Sequence, residues 1–218
     1  KLWVHRGVCC ECEARVRRSG ACPFRDKCEP STFCPHAQKC FVCDAHSCTD
    51  CMLSRGDGED VARLVDQVSP TAIFFDFDRT FATTRGGGSP LVVVKGKGGK
   101  VATGHAIDLD LFSIACQFPH RVHIVTRNSF RDDIAAFLKQ KGVPEGVRIH
   151  TVKKHQSKAD VVCDPEWMPP GTGAVGVFVD DSIEEHVDPL MMQCLEKNRT
   201  GGEGSNVLHR VLFVKGVV

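Results

Sequence analysis

Five short apolar runs, 71–77 (TAIFFDF), 121–126 (RVHIVT), 147–152 (VRIHTV), 174–180 (AVGVFVD) and 207–214 (VLHRVLFV), alternate with stretches whose apolar residues recur every three or four positions. The runs are rich in Val, Ile and Phe, the composition of parallel strands buried on both faces. The stretches 59–68, 107–118, 129–142, 157–162 and 182–198 predict helices, and Gly142 stands where the 129–142 helix should stop. Alternation of this kind implies right-handed crossovers, hence an α/β fold with a doubly wound, mostly parallel sheet and helices on both faces. Such sheets take ligands beyond the carboxyl ends of their strands.

Those ends carry polar residues that the strands do not need. The first run ends in Asp76 and Asp78, the second in Thr126, and the fourth in Asp180 and Asp181. A lone strand-end aspartate is usually a cap or a turn residue. Four at two strand ends would repel one another and raise one another's pKa, so such carboxylates normally share a cation. Oxygen donors of this hardness suit Mg2+.

With these motifs the chain resembles the haloacid dehalogenase-like phosphatase superfamily. DFDRT (76–80) resembles its D-x-D-x-T signature, IVTRN (124–128) its strand-end threonine, and VFVDDS (177–182) its acidic metal motif. The resemblance covers residues 70–218 and calls for a lysine shortly before the last of these strands. Lys158 is the choice and Lys154 the alternate. It implies a Rossmann-like sheet, with the Gly-rich 91–104 as the hairpin that follows the first strand. It also implies Asp76 as nucleophile through an aspartyl-phosphate, Asp78 as general acid and base, and Thr126 and Lys158 as holders of the phosphoryl oxygens. Mg2+ would be bound by Asp76, the Asp78 carbonyl and Asp180, with Asp181 assisting. Thr80 is expected to shape the turn. Arg79 departs from the small or acidic residue often found there, and Arg79, Thr80, Arg127 and Asn128 are the substrate-binding candidates. Arg85 and His105 are also near motif positions, where each is as readily a loop residue.

About 50 residues separate Asp76 from Thr126 and about 54 separate Thr126 from Asp180, too few for a large cap. The cleft is expected to be open. Open relatives in the superfamily tend to act on macromolecules, which here means a phosphorylated nucleic-acid end or a phosphoprotein. The balance of 28 basic against 27 acidic residues leaves the partner open. No apolar run approaches the roughly 20 residues a membrane crossing needs, and KLWVHRGVCC lacks the apolar core of a signal peptide. The chain is expected to be soluble, and its start at Lys1 is compatible with a piece of a longer protein.

Ten of the thirteen cysteines fall between Cys9 and Cys51, which puts a domain boundary near residue 56: 1–56 a Cys-rich module, 57–218 the α/β domain. The first piece has too few large hydrophobes for a core of its own, so cross-links or metal must hold it. Three C-x-x-C pairs, Cys9/Cys12, Cys40/Cys43 and Cys48/Cys51, favour zinc over disulfides, because two thiolates at that spacing bite one tetrahedral ion. With Cys34 and His36 they resemble the eight-ligand RING spacing of ubiquitin ligases. A sequential arrangement stands beside it, with Cys40, Cys43, Cys48 and Cys51 on one ion and earlier ligands, including Cys22 and Cys28, on another. About two Zn2+ ions are expected. A structural zinc knot that docks on the next domain is preferred to ligase activity. The basic stretch 15–20 with Arg25 and Lys27 could touch phosphate backbones, though no aromatic stacking series accompanies it. Zinc thiolates suit a reducing cytosol or nucleus.

Two functions follow from these residues. One is a Mg2+-dependent phosphomonoesterase with a zinc-bound docking platform. The other is a RING-like interaction module fused to a phosphate-binding but inactive domain.

Overall fold

The computed structural model describes residues 47–48, 53–84, 86–91, 93–96, 99–102, 105–200 and 204–214. The expected zinc ligands Cys9, Cys12, Cys22, Cys28, Cys34, His36, Cys40, Cys43 and Cys51 lie outside these residues, as do the basic stretch 15–27 and Arg85. Of Cys48 only the backbone is described.

The chain runs β1 (Ser47–Cys48), β2 (Leu53–Gly56), α1 (Gly58–Val68), β3 (Ala72–Phe75), β4 (Val93–Gly96), β5 (Gly99–Ala102), α2 (Leu109–Gln117), β6 (Val122–Thr126), α3 (Arg131–Gln140), β7 (Arg148–Thr151), α4 (Ala159–Val162), β8 (Val175–Asp180), α5 (Ile183–His186), α6 (Pro189–Thr200) and β9 (Val207–Phe213). The main sheet has the order β1-β2-β9-β8-β3-β6-β7. Every pairing from β2 to β7 is parallel, and only the two-residue β1 is antiparallel. From β3 the chain moves outward through β6 to β7, then returns to β8 on the other side of β3. That reversal opens a crevice at the carboxyl ends of β3, β6 and β8, where an open parallel sheet takes its ligand.

Alternate residues of each strand feed two cores. Ile73 and Phe75 pack with Ile124, Val177 and Val179 under α1, α2 and α3, through Val61, Leu111 and Phe137. Phe74 points the other way, to Val125, Phe178 and the Ala159, Val162 and Met191 of α4 and α6. Both faces are therefore covered, which is why the strand sequences are continuously apolar. Each fully buried Phe or Ile contributes about 1.5–3 kcal/mol of transfer free energy.

Helix ends follow local chemistry. Asp57 and Asp60 form a reciprocal capping box at the start of α1, and Asp108 accepts from the amides of Asp110 and Leu111 at the start of α2. Gly142 stops α3 at φ +80°, a left-handed conformation open to glycine without a steric cost. The helix expected over 182–198 is instead two, α5 and α6. Pro189 lacks an amide proton and disfavours a helical Asp188, while the Asp188 carboxylate accepts from the amides of Leu190 and Met191 and starts α6 afresh.

The Gly-rich stretch after β3 forms the expected hairpin, β4 pairing with β5 from Val93↔Ala102 to Gly96↔Gly99 as a separate two-stranded sheet. Strand β2 was not announced by any apolar alternation and is recruited by the edge of β9. Among the described residues no helix is long and apolar enough to cross a membrane.

Candidate metal centre

Strand β3 hands its carboxyl end directly to Asp76, whose amide donates to the Val179 carbonyl of β8 at 2.9 Å. The chain then turns tightly: the Phe81 amide donates to the Asp76 carbonyl and the Ala82 amide to that of Phe77. Arg79 sits in this turn at φ +64°, an uncommon conformation for a residue with a side chain. Thr80 is buried, and its hydroxyl has no hydrogen-bond partner among the described residues.

Across from Asp76, β8 ends in Asp180. Its Oδ1 accepts from the Ser182 amide at 2.9 Å, and its carbonyl accepts from His186 Nε2 at 3.1 Å. Burial and the Arg210 charge push the His186 pKa down to about 3, so its ring is neutral and donates from Nε2. Lys158, directly before α4, spans the gap. Its ammonium lies 2.5 Å from Asp76 Oδ1 and 2.7 Å from Asp180 Oδ2, and its side chain is 3% exposed. Lys154 has an exposed side chain and contributes its carbonyl, not its ammonium, to the contacts around the site.

One carboxylate oxygen from each of Asp76, Asp180 and Asp181 lies within 4.8 Å of the others. Burial, reinforced by the Asp180 charge, raises the Asp76 pKa well above the usual carboxylate range, with Lys158 opposing it. Burial also raises Asp180 against the pull of Lys158, and burial plus the Asp180 charge raise Asp181. Three crowded, partly desolvated carboxylates with one ammonium between two of them are short of positive charge, and hard oxygen donors accept a hard cation. The group at the carboxyl ends of β3 and β8 could therefore hold a metal ion.

Asp78 is outside that group. Its carboxylate accepts from the Gly87 amide at 3.0 Å and from Asn128 Nδ2 at 3.2–3.3 Å, and the same nitrogen donates to the Gly88 carbonyl at 2.7 Å. Asn128 thus ties the general-acid candidate to the Gly-rich loop that follows the turn. At the end of β6, Thr126 is fully buried, and its Oγ1 accepts from the Asn128 amide at 3.1 Å.

The two arginine candidates part company. The Arg79 guanidinium is two-thirds exposed, 3.8 Å from Asp181 at the rim. Arg127 turns into the protein: it forks onto Glu185 at 2.5 and 3.0 Å and donates to the carbonyls of Lys153, Lys154 and Gln156. It clamps the loop that delivers Lys158 to α5 through Glu185. His105 is partly exposed and makes no contact with the carboxylates among the described hydrogen bonds.

Glu185, His186, Ser157 and Asp188 were not singled out from the sequence. Ser157 Oγ donates to Asp188 Oδ1 at 2.8 Å, pinning the Lys158 segment to the start of α6. Glu185 lies 58 residues from Arg127 and Asp188 lies 31 from Ser157, beyond the reach of any local pattern, although the Asp188-Pro189 pair is itself a capping signal and His186 is only 6 residues from the Asp180 carbonyl it holds. Compared with protein-family models, with curated proteins and with solved structures, the chain matches none.

Proposed function

We propose that this chain is a Mg2+-dependent phosphomonoesterase that works through an aspartyl-phosphate on Asp76. The observation that carries the reading is the Lys158 ammonium between Asp76 and Asp180, with Asp181 in the same carboxylate group and Thr126 and Asp78 at the carboxyl ends of the adjacent strands β6 and β3.

The donor set fits the cation: Asp76, Asp180 and Asp181 would hold Mg2+, which supplies charge neutralisation for a phosphoryl group. The remaining roles belong to the chain. Lys158 opposes the upward pull of burial on Asp76 and so keeps an oxygen of that carboxylate nucleophilic toward phosphorus. Thr126 Oγ1 already accepts from Asn128, so its hydroxyl proton is left to donate to a phosphoryl oxygen. Asp78, fixed by Gly87 and Asn128 on the other side of the turn, protonates the leaving oxygen and later takes a proton from water.

The substrate class proposed is a macromolecule that brings its own cover to an open cleft, a phosphorylated nucleic-acid end ahead of a phosphoprotein, with the Cys-rich module as zinc-bound docking platform. Phosphate release in millimolar Mg2+ from an aryl phosphate, 3′- and 5′-phosphorylated oligonucleotides and a phosphopeptide tests both parts. Release by wild type and not by Asp76→Asn supports the reading, and the preferred substrate names the class. No release from any of them by folded, metal-loaded protein overturns it.

A further inference from the structure

On the face of the sheet covered by α4 and α6, Cys163 and Cys194 form a disulfide with Cα atoms 6.3 Å apart. Cys163 closes α4, and Cys194 lies inside α6. Both residues are partly exposed and line a cavity of about 600 Å3 together with Met168, Leu190 and Lys197. The bridge is therefore within reach of a small thiol, unlike a disulfide sealed in a core.

The bridge also belongs mechanically to the acidic site. Helix α4 is four residues long and starts directly after Lys158, whose carbonyl accepts from the amides of Val161 and Val162. A helix this short does not hold itself, so its position comes from what it is attached to. It packs on α6 through Ala159, Val162 and Met191, and two tethers bind it there: Ser157 to Asp188 at one end and Cys163 to Cys194 at the other. Lys158 lies between the tethers.

We propose that Cys163–Cys194 is a thiol–disulfide exchange site, reduced by a small thiol through this cavity, and that its redox state regulates the acidic site by setting how firmly α4 holds Lys158. In the exchange a thiolate of the reductant attacks one sulfur, forming a mixed disulfide and releasing the other cysteine as a thiolate. A second reductant thiol resolves the mixed disulfide, so two electrons pass to the bridge, two cysteine thiols form, and the reductant leaves as its own disulfide. The C-x-x-C ladder of the same chain suits a reducing compartment, where bridges that form are transient or redox-sensing. The activity part of this inference rests on the phosphatase reading; the exchange chemistry does not.

The test uses the full chain as wild type, Cys163→Ser and Cys194→Ser, equilibrated in glutathione buffers from reducing to oxidising. Three quantities are read: the linked 163–194 peptide, amide hydrogen exchange over 157–163, and KM for an aryl phosphate. In wild type the linked fraction follows the buffer, and reduction raises both exchange and KM on the order of tenfold. Each serine variant behaves as the reduced state in every buffer. Failure of the linked peptide to form under oxidising glutathione overturns the proposal, as does a bridge that forms while exchange and KM stay the same. Absence of turnover in every state is a failure of the phosphatase reading alone, and hydrogen exchange then decides the redox claim.

Discussion

Lys158 Nζ lies 2.5 Å from Asp76 Oδ1, in a pair whose side chains are 3% and 8% exposed. The Lys158 pKa is subject to lowering by burial, but Asp76 and Asp180 outweigh that effect and hold the ammonium charged. Removing one partner of a buried pair leaves the other charge uncompensated, at about 3–5 kcal/mol. Lys158→Met should therefore lower unfolding stability by roughly that amount in chelator. Millimolar Mg2+ should recover part of the loss, as urea melts with and without the cation would show.

Asn128 is the joint between Asp78 and the Gly-rich loop. Its side-chain nitrogen donates to both Asp78 oxygens and to the Gly88 carbonyl, and Asn128 is itself 1% exposed, so truncation takes a donor from the buried Asp78 carboxylate. Asn128→Ala is expected to cost about 1–3 kcal/mol of stability. It should lower kcat more than it raises KM, since Asp78 loses its orientation while Lys158 and Thr126 stay in place. Steady-state kinetics beside thermal melts separate the two effects.

These two residues also mark what could be read from the chain before folding. Asp76, Asp78, Thr126 and Asp180 were legible because each follows an apolar run, and the run alone says where its last residue emerges. Lys158 was the choice with Lys154 as the alternate, and it is Lys158 that lies buried between two carboxylates. Arg127 read as a substrate contact by proximity to Thr126, yet its guanidinium is committed to Glu185, 58 positions away. The Cys163–Cys194 bridge likewise spans 31 residues with no local trace. Leu53–Gly56, four residues without alternation, becomes a strand because β9 offers an unpaired edge.

The Arg127 clamp depends on the planar fork of guanidinium, which meets Glu185 twice while still reaching three carbonyls. A lysine ammonium cannot satisfy that geometry. Arg127→Lys should keep the fold but loosen residues 153–157, raising their amide exchange and the KM for a phosphomonoester. Unchanged exchange over that loop would remove the positioning role.

Below neutral pH, the buried histidines weaken the fold. Burial, with the charges of His150 and Arg148, lowers the His123 pKa from 6.5 to about 4. The unfolded chain then takes up its proton first as pH falls. The neutral ring's contribution is complete above pH 6.5 and is lost between there and 4, at up to about 1.4 kcal/mol per pH unit for this group. His123→Gln should flatten that part of the stability profile, measured by urea unfolding from pH 7.5 to 4.5.

An aspartyl-phosphate mechanism requires that Asp76 become phosphorylated during turnover. Borohydride reduction during turnover of an aryl phosphate in Mg2+, followed by peptide sequencing, reads it directly, because an acyl phosphate is reduced to an alcohol where a free carboxylate is not. The expected result is homoserine at position 76 in wild type, absent when substrate or Mg2+ is omitted. Steady phosphate release with an unmodified Asp76 peptide would contradict the account.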